Sequence, residues 1–199
     1  MLKKSAQVGK LVEDRKFLRS KELEGTNLSR SHLWNLAKAG KLERVGRGLY
    51  RAKAAPISGN ETLIEVAKRV PRSVLCLSSA LRFHELSTEN PFEIWIALPH
   101  GAWSPKLDYP PIQVVHFSKA SFEFGIEAHS EAGGTLRVYT AAKTVADCFK
   151  FRSKVGTETA IEALRAAYRE RKASMDELWH AARVCRVANV MRPYMESLV

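Results

Sequence analysis

The spacing of apolar residues in the first quarter of the chain predicts short helices. Four apolar residues recur on one helical face and predict a first helix over about 6–18: Val8, Leu11, Val12 and Leu18. Ser20 is a suitable N-cap for a short second helix, which carries Leu23 and ends at Gly25. Two helices joined by a tight connection are therefore expected before residue 26.

A third helix is bounded by Ser29, a good N-cap, and by Gly40, which favours the left-handed conformation found just after helices. Its inward positions are apolar: Leu33, Leu36 and Ala37. Its outward positions are polar: Ser31, Asn35 and Lys38. Trp34 flanks this polar face. Its side chain could pack against the segment that follows or stack on a sugar ring of a bound nucleic acid. Packing is favoured, since aromatic side chains usually contribute to cores.

Two short β-strands follow at 42–45 and 49–51, and Gly46-Arg47-Gly48 joins them in a tight turn. Three helices and a basic hairpin, in this order, are typical of a winged helix-turn-helix domain. We place that domain at residues 1–55, because the segment around 52–60 is small, polar and broken by Pro and Gly.

Residues 56–199 are predicted to form an α+β domain, a small sheet with a helical C-terminal half. Strands are expected at 73–77, 92–98 and 112–117 and in a hairpin turning at Gly133-Gly134, with a proline-rich loop over 99–111. Capping patterns at Ser58–Glu61, Ser78/Ser79 and Ser174–Glu177 open three of the helices. The expected helices are 61–70, 80–86, 141–152, 157–171, 174–185 and 188–197.

The positive charge of the chain is concentrated in the predicted winged domain. Residues 1–55 hold 14 Lys and Arg against five Asp and Glu, which is +9 of the total net charge of +11. A charged face that only aids solubility would account for this excess as well. A polyanionic partner explains its position, because basic surfaces attract nucleic acid.

The third helix and the hairpin supply the candidate DNA contacts. In helix-turn-helix proteins the second helix of the motif enters the major groove, and Asn and Arg there can pair with adenine and guanine. The hairpin cations can reach phosphates. The candidate DNA-binding residues are Arg30, Ser31, Asn35, Lys38, Lys41, Arg44, Arg47 and Arg51. Domains of this type also bind proteins, so DNA is one of two partner classes at this point.

Two segments resemble the AbiEi family of antitoxins. Leu33–Arg51 looks like that family's helix followed by a Gly-x-Leu-x-Arg-Val-x-x-Gly-Leu-Tyr wing. Thr140–Asp147 resembles a Thr-x-x-[Arg/Lys]-Thr-x-x-Asp segment of its C-terminal domain. The resemblance marks three residues there, Lys143, Thr144 and Asp147. A Lys143–Asp147 pair at i, i+4 and a hydroxyl bonded to the helix would give them a structural role, which is favoured over a binding role.

The resemblance implies an antitoxin and transcriptional repressor of a toxin–antitoxin operon of the abortive-infection type, which defends against phage. Its winged helix would bind double-stranded DNA at an inverted repeat in its own promoter. Winged-helix repressors usually meet such repeats in pairs, so we expect a dimer on two half-sites. Its second domain would counter a nucleotidyltransferase-like toxin, directly or indirectly.

An enzyme is not expected. The sequence has no Gly-rich phosphate loop, no Cys-x-x-Cys and no His-Glu-x-x-His, so we expect no cofactor and no metal. The alternative is a nuclease-like enzyme with a winged-helix targeting domain. The one cluster that could serve such an enzyme is Glu93 with His84 and Glu85 upstream, and a strand position in which Glu93 faces solvent is favoured.

The cellular address expected from the sequence is the cytoplasm. Three cysteines lie far apart, at Cys76, Cys148 and Cys185, and suit a reducing interior as small buried apolar residues. No apolar stretch is long enough to span a membrane, and no signal peptide is expected at the N-terminus. Lys150, Arg152 and Lys154 close the helix after the second motif, where they complement the helix dipole; phosphate contacts are the alternative role.

Overall fold

The computed structural model describes residues 2–53, 59–131 and 134–198. The chain folds as two units. Unit 1 is Met1–Pro71 with Ser130–Leu136, and unit 2 is Arg72–His129 with Arg137–Val199. The division falls after Pro71, beyond the domain boundary at 55/56 expected from the sequence, and that boundary stays a prediction. No described helix is long and apolar enough to cross a membrane.

Unit 1 alternates helices with a three-stranded sheet. Its elements are α1 Leu2–Arg15, β1 Phe17–Arg19, a 3-10 helix Ser20–Leu23, α2 Arg30–Lys38, β2 Leu42–Gly46, β3 Leu49–Ala52 and α3 Gly59–Arg69. The strand order is β1-β3-β2, and both pairs are antiparallel. The predicted first helix is too long at its C-terminal end. Lys16 adopts a φ of +58°, which ends α1 and turns the chain so that Leu18 enters the core from β1.

Successive residues of a strand point to opposite faces of its sheet. The strands of unit 1 carry apolar side chains at neighbouring positions, so both faces of the sheet are apolar and both are covered. On one face Leu18, Leu42 and Tyr50 pack with apolar residues of α1 and α2. On the other face Phe17 and Leu49 pack with Ile64 of α3, and all three side chains are at most 1% exposed. α3 is therefore part of the core that holds the hairpin.

Unit 2 is built on a five-stranded mixed sheet. The later elements are β4 Val74–Leu75, α4 Leu77–Phe83, β5 Ile94–Pro99, β6 Ile112–Phe117, α5 Lys119–Glu123, β7 Ile126–Glu131, β8 Gly134–Tyr139, α6 Ala141–Lys150, α7 Arg152–Val155, α8 Thr157–Arg169, α9 Met175–Val184 and α10 Ala188–Glu196. The strand order is β6-β5-β4-β8-β7, with β4 parallel to β8 and antiparallel to β5. The α+β class and the helical C-terminal half agree with the sequence prediction.

Helix α6 lies at the centre of the core of unit 2. Every residue from Ala141 to Phe149 is buried, and the helix packs against α4, α8 and α9. Small side chains on α8 and α9, such as Ala163 and Ala181, allow this close approach. A helix buried on all sides carries few polar residues unless they pair, and α6 carries Lys143, Thr144 and Asp147.

Some predicted boundaries differ from the structure for local reasons. α4 begins at Leu77, and its N-cap residue is Cys76. Ser79, predicted as a cap, lies inside the helix, where its hydroxyl accepts a hydrogen bond from the Trp95 backbone N–H at 2.9 Å. The predicted helix 141–152 is divided into α6 and α7 at Phe151. The predicted cap at Ser58 and the turn residue Gly133 lie outside the described residues.

Candidate nucleic-acid interface

Helix α2 begins and ends where the sequence predicts. At its start Ser29 has an extended backbone, and its N–H donates to Nδ1 of His32 at 3.2 Å. At its end Gly40 has a φ of +71°. Two backbone bonds close the last turn there, from Gly40 N–H to the Ala37 carbonyl and from Lys41 N–H to the Leu36 carbonyl, both at 3.0 Å. This paired arrangement satisfies carbonyls that the helix end leaves open.

The outward face of α2 presents the predicted polar side chains to solvent. Leu33 and Leu36 are buried, whereas four candidate residues are exposed: Arg30, Ser31, Asn35 and Lys38. At a rise of 1.5 Å per residue they extend along about 12 Å of helix, close to the width of the major groove of B-DNA. Arg30 forms an exposed ion pair with Glu24 at 3.1 Å, which contributes little stability and can exchange for a phosphate.

The hairpin after α2 presents three more cations. Lys41, Arg44 and Arg47 are exposed, and Arg47 lies at the tip between two glycines. Gly48 has a φ of +69°, and its carbonyl accepts the Ser20 backbone N–H at 2.8 Å. A Cβ at position 48 would lie 2.7 Å from the Ser20 hydroxyl, so the turn requires glycine for both its conformation and its space.

These cations have few acidic partners. None of the ion pairs formed by the described side chains includes Lys38, Lys41, Arg44 or Arg47. Arg44 Nε instead donates a long hydrogen bond of 3.4 Å to the Gly46 carbonyl. Exposed cations that form no ion pair with a described side chain stay available for an anion, and two adjoining elements carry them here.

Arg51 differs from the other DNA-binding candidates in having acidic partners. Its Nε and Nη2 donate to one Glu43 carboxylate oxygen at 3.0 and 2.8 Å, and its Nη1 lies 3.7 Å from Glu65. Its side chain is only 19% exposed. Glu65 is buried, which raises its pKa against the lowering effect of Arg69 and Arg51. Arg51 therefore neutralises acids between the sheet and α3, and we assign it a structural role.

Trp34 is more exposed than expected for an aromatic side chain packed against the hairpin. Its side chain remains 55% exposed on α2, next to Asn35. Nζ of Lys38 lies 5.2 Å from the centroid of its ring, a cation–π distance.

The three residues singled out in the second motif are buried in unit 2. Lys143, Thr144 and Asp147 are each 0% exposed. Nζ of Lys143 forms an ion pair with the Asp147 carboxylate and lies 4.1 Å from the centroid of the Tyr139 ring. The Thr144 hydroxyl donates to the Tyr139 carbonyl at 3.2 Å. These contacts are the ones that a structural role requires, and they leave Lys143, Thr144 and Asp147 with no exposed surface for a partner.

A cleft of about 720 Å³ in unit 2 contains two of the three residues considered for a nuclease-like enzyme. His84 and Glu85 line it together with Lys172 and His180, whereas Glu93 is not among its lining residues. Nε2 of His84 lies 2.7 Å from the Tyr139 carbonyl, and burial lowers the pKa of this histidine. Within residues 2–53, 59–131 and 134–198, no three His, Cys, Asp or Glu side chains converge as metal ligands.

Comparison with known families places the N-terminal segment. Residues 7–53 match the family model described as the transcriptional regulator AbiEi antitoxin. The resemblance to the AbiEi family is confirmed. The AbiEi match runs from within α1 to the end of the β2–β3 hairpin and so includes the exposed cations of both α2 and that hairpin. It supports a DNA-binding regulator and favours that class over an enzyme.

The whole chain also resembles a solved structure. The crystal structure of the RV2827C protein from Mycobacterium tuberculosis aligns with a TM-score of 0.64 and 14% identity, covering 97% of this chain and 77% of that one. At this identity the likeness shows a shared fold only. No curated protein matches the sequence.

Proposed function

We propose that residues 1–55 form a winged helix-turn-helix that binds double-stranded DNA, with α2 in the major groove and the β2–β3 hairpin as the wing. The observation that carries this proposal is a pair of adjoining cationic elements whose cations, apart from Arg30 with its exposed Glu24 partner, form no ion pair with a described side chain. Arg30, Asn35 and Lys38 face outward from α2, while Lys41, Arg44 and Arg47 extend from the wing. Major-groove edges offer acceptors to the first set, and phosphates suit the second.

The chain is further proposed to act as a repressor of its own promoter. Winged-helix repressors meet inverted repeats in pairs, so two copies would occupy two half-sites. The AbiEi match supports the regulatory class, and the site of action would be the cytoplasm, where its three free cysteines stay reduced.

Salt dependence of binding tests the wing. Replacing Arg44 and Arg47 by Ala removes two proposed phosphate contacts per copy, so the slope of log affinity against log salt should fall by about two per bound copy. The matched control is Arg165→Ala with Arg169→Ala, which removes the same charge from the exposed face of α8. Equal slopes for the two double variants on a fragment of the chain's promoter would refute the wing assignment.

The antitoxin role is proposed for the whole chain, against a nucleotidyltransferase-like toxin encoded beside it. Co-expression from an unrelated promoter should relieve the growth arrest that such a toxin causes. The Arg44→Ala/Arg47→Ala variant should relieve it equally, because neutralisation is assigned to unit 2 and not to the wing. Persistent arrest with the wild-type chain would refute the antitoxin role and leave the repressor role standing.

A further inference from the structure

The outward face of α2 carries one large apolar side chain among polar ones. Ser31, Trp34, Asn35 and Lys38 follow the i, i+3, i+4, i+7 spacing that places residues on a single helical face. Trp34 is 55% exposed there, while Leu33 beside it in sequence is fully buried. The indole of Trp34 is not part of the apolar core that α2 forms with α1 and the sheet of unit 1.

Single exposed apolar residues are ordinary, so exposure alone says little. The position of Trp34 is what matters. It lies between Ser31 and Lys38 on the helix proposed to enter the major groove, and its immediate neighbour is Asn35. Lys38 Nζ is 5.2 Å from the ring centroid, so its cation accompanies the indole on this face. An indole in this position enters the groove whenever Asn35 does.

The chemistry of the groove restricts what an indole can recognise. The base edges there are hydrogen-bond donors and acceptors, with one apolar exception, the C5-methyl group of thymine. Indole has a single N–H donor and no acceptor, so it cannot form the paired bonds with which Asn or Arg distinguish bases. Its large apolar surface suits the methyl group.

We infer that Trp34 is a specificity-determining residue that contacts a thymine methyl group in each half-site. The inference rests on the proposed DNA-binding function and adds the base that α2 selects. Since Asn35 is adjacent and suits adenine, the half-site should be A·T-rich where the middle of α2 meets it. Burial of one methyl group is worth about 0.8 kcal/mol, or roughly fourfold in affinity, and two half-sites give roughly 15-fold.

Deoxyuridine provides the test, because it pairs like thymidine but lacks the methyl group. The promoter fragment is prepared once with thymidine and once with deoxyuridine throughout, and both are titrated with the wild type and with Trp34→Ala. The wild type should bind the deoxyuridine fragment roughly fourfold more weakly for each occupied half-site. Trp34→Ala should bind the thymidine fragment more weakly and lose most of this preference.

The comparison between proteins removes any effect of deoxyuridine on DNA shape, because both proteins meet the same two fragments. Trp103→Ala is the matched control, since Trp103 is 78% exposed in unit 2 and should keep the full preference. An unchanged thermal midpoint for Trp34→Ala shows that its fold is intact. Equal preferences in wild type and Trp34→Ala would overturn the inference while leaving DNA binding established. Failure of the wild type to bind either fragment would overturn the proposed function, and the inference with it.

Discussion

Replacing Lys143 by Met would remove one charge of the buried pair in α6 and keep a side chain of similar length. The Asp147 carboxylate, 0% exposed, would then lose its ion-pair partner and keep the hydrogen bond that the Cys185 thiol donates to it at 3.4 Å, with the more distant charge of Lys150. The Phe117 and Tyr139 rings would also lose the ammonium that lies 4.6 and 4.1 Å from their centroids. Removing one partner of a buried ion pair costs about 3–5 kcal/mol, a large part of the usual stability of a domain.

The loss should depend on pH in a definite direction. Burial raises the pKa of Asp147, and the Lys143 charge acts against that rise. Without Lys143 the folded-state pKa is higher still, so the folded protein binds a proton that the unfolded chain releases. Between the unfolded pKa, about 3.9, and this raised value, stability increases as pH falls, by up to about 1.4 kcal/mol per pH unit. The deficit of Lys143→Met should therefore be largest at pH 8 and shrink towards pH 5.

Urea unfolding followed by tryptophan fluorescence measures this deficit. A Trp34→Phe background restricts the signal to Trp95, Trp103 and Trp179, all in unit 2. Lys119→Met, at an exposed lysine, should change stability by less than about 0.5 kcal/mol. The double variant Lys143→Met/Asp147→Asn should regain at least half of the loss because no charge stays buried. A loss below about 1 kcal/mol at pH 8, or one independent of pH, would refute the reasoning.

Three further outcomes are expected. Arg51→Ala should reduce the stability of unit 1 by about 1–3 kcal/mol without changing the salt slope of DNA binding; a shallower slope would return Arg51 to the interface. Gly48→Ala should destabilise unit 1 by about 1–3 kcal/mol in thermal unfolding, and by more than Gly40→Ala, because both glycines have positive φ but only a Cβ at 48 meets another atom within 4 Å. Burial raises the pKa of the Cys185 thiol to about 12, so iodoacetamide at pH 8.5 should modify it in urea and leave it unmodified in the native protein, as read by mass spectrometry.

Much of unit 1 was predictable from local signals. Ser29, Gly40 and the Gly46–Gly48 turn each act within a few residues, so α2 and the hairpin are found where the sequence places them. The end of α1 was missed because Phe17 and Leu18 extend the apolar pattern of a helix. Only pairing with Tyr50 and Arg51, more than 30 positions away, makes them a strand.

In the candidate interface, too, local features were predictable and long-range contacts were not. Exposure of Arg44 and Arg47 followed from their place in a basic hairpin. The role of Arg51 did not, since Glu65 reaches it from a helix beyond the predicted boundary. A signal did exist in Glu43, which lies opposite Arg51 once the strands are paired across the short turn. The exposure of Trp34 had no comparable signal, because aromatic side chains usually find a core.

The cover that α3 gives to the sheet has a consequence for exchanging parts between relatives. The AbiEi match ends at residue 53, and a graft joined at residue 55 would look natural in an alignment. It would leave behind Ile64, which closes over Phe17 and Leu49, and Glu65, which Arg51 neutralises. The transplanted sheet would then expose an apolar face, and each side chain uncovered there loses about 1.5–3 kcal/mol of burial free energy. A chimera that is to keep the packing around the hairpin should therefore carry residues 1–71.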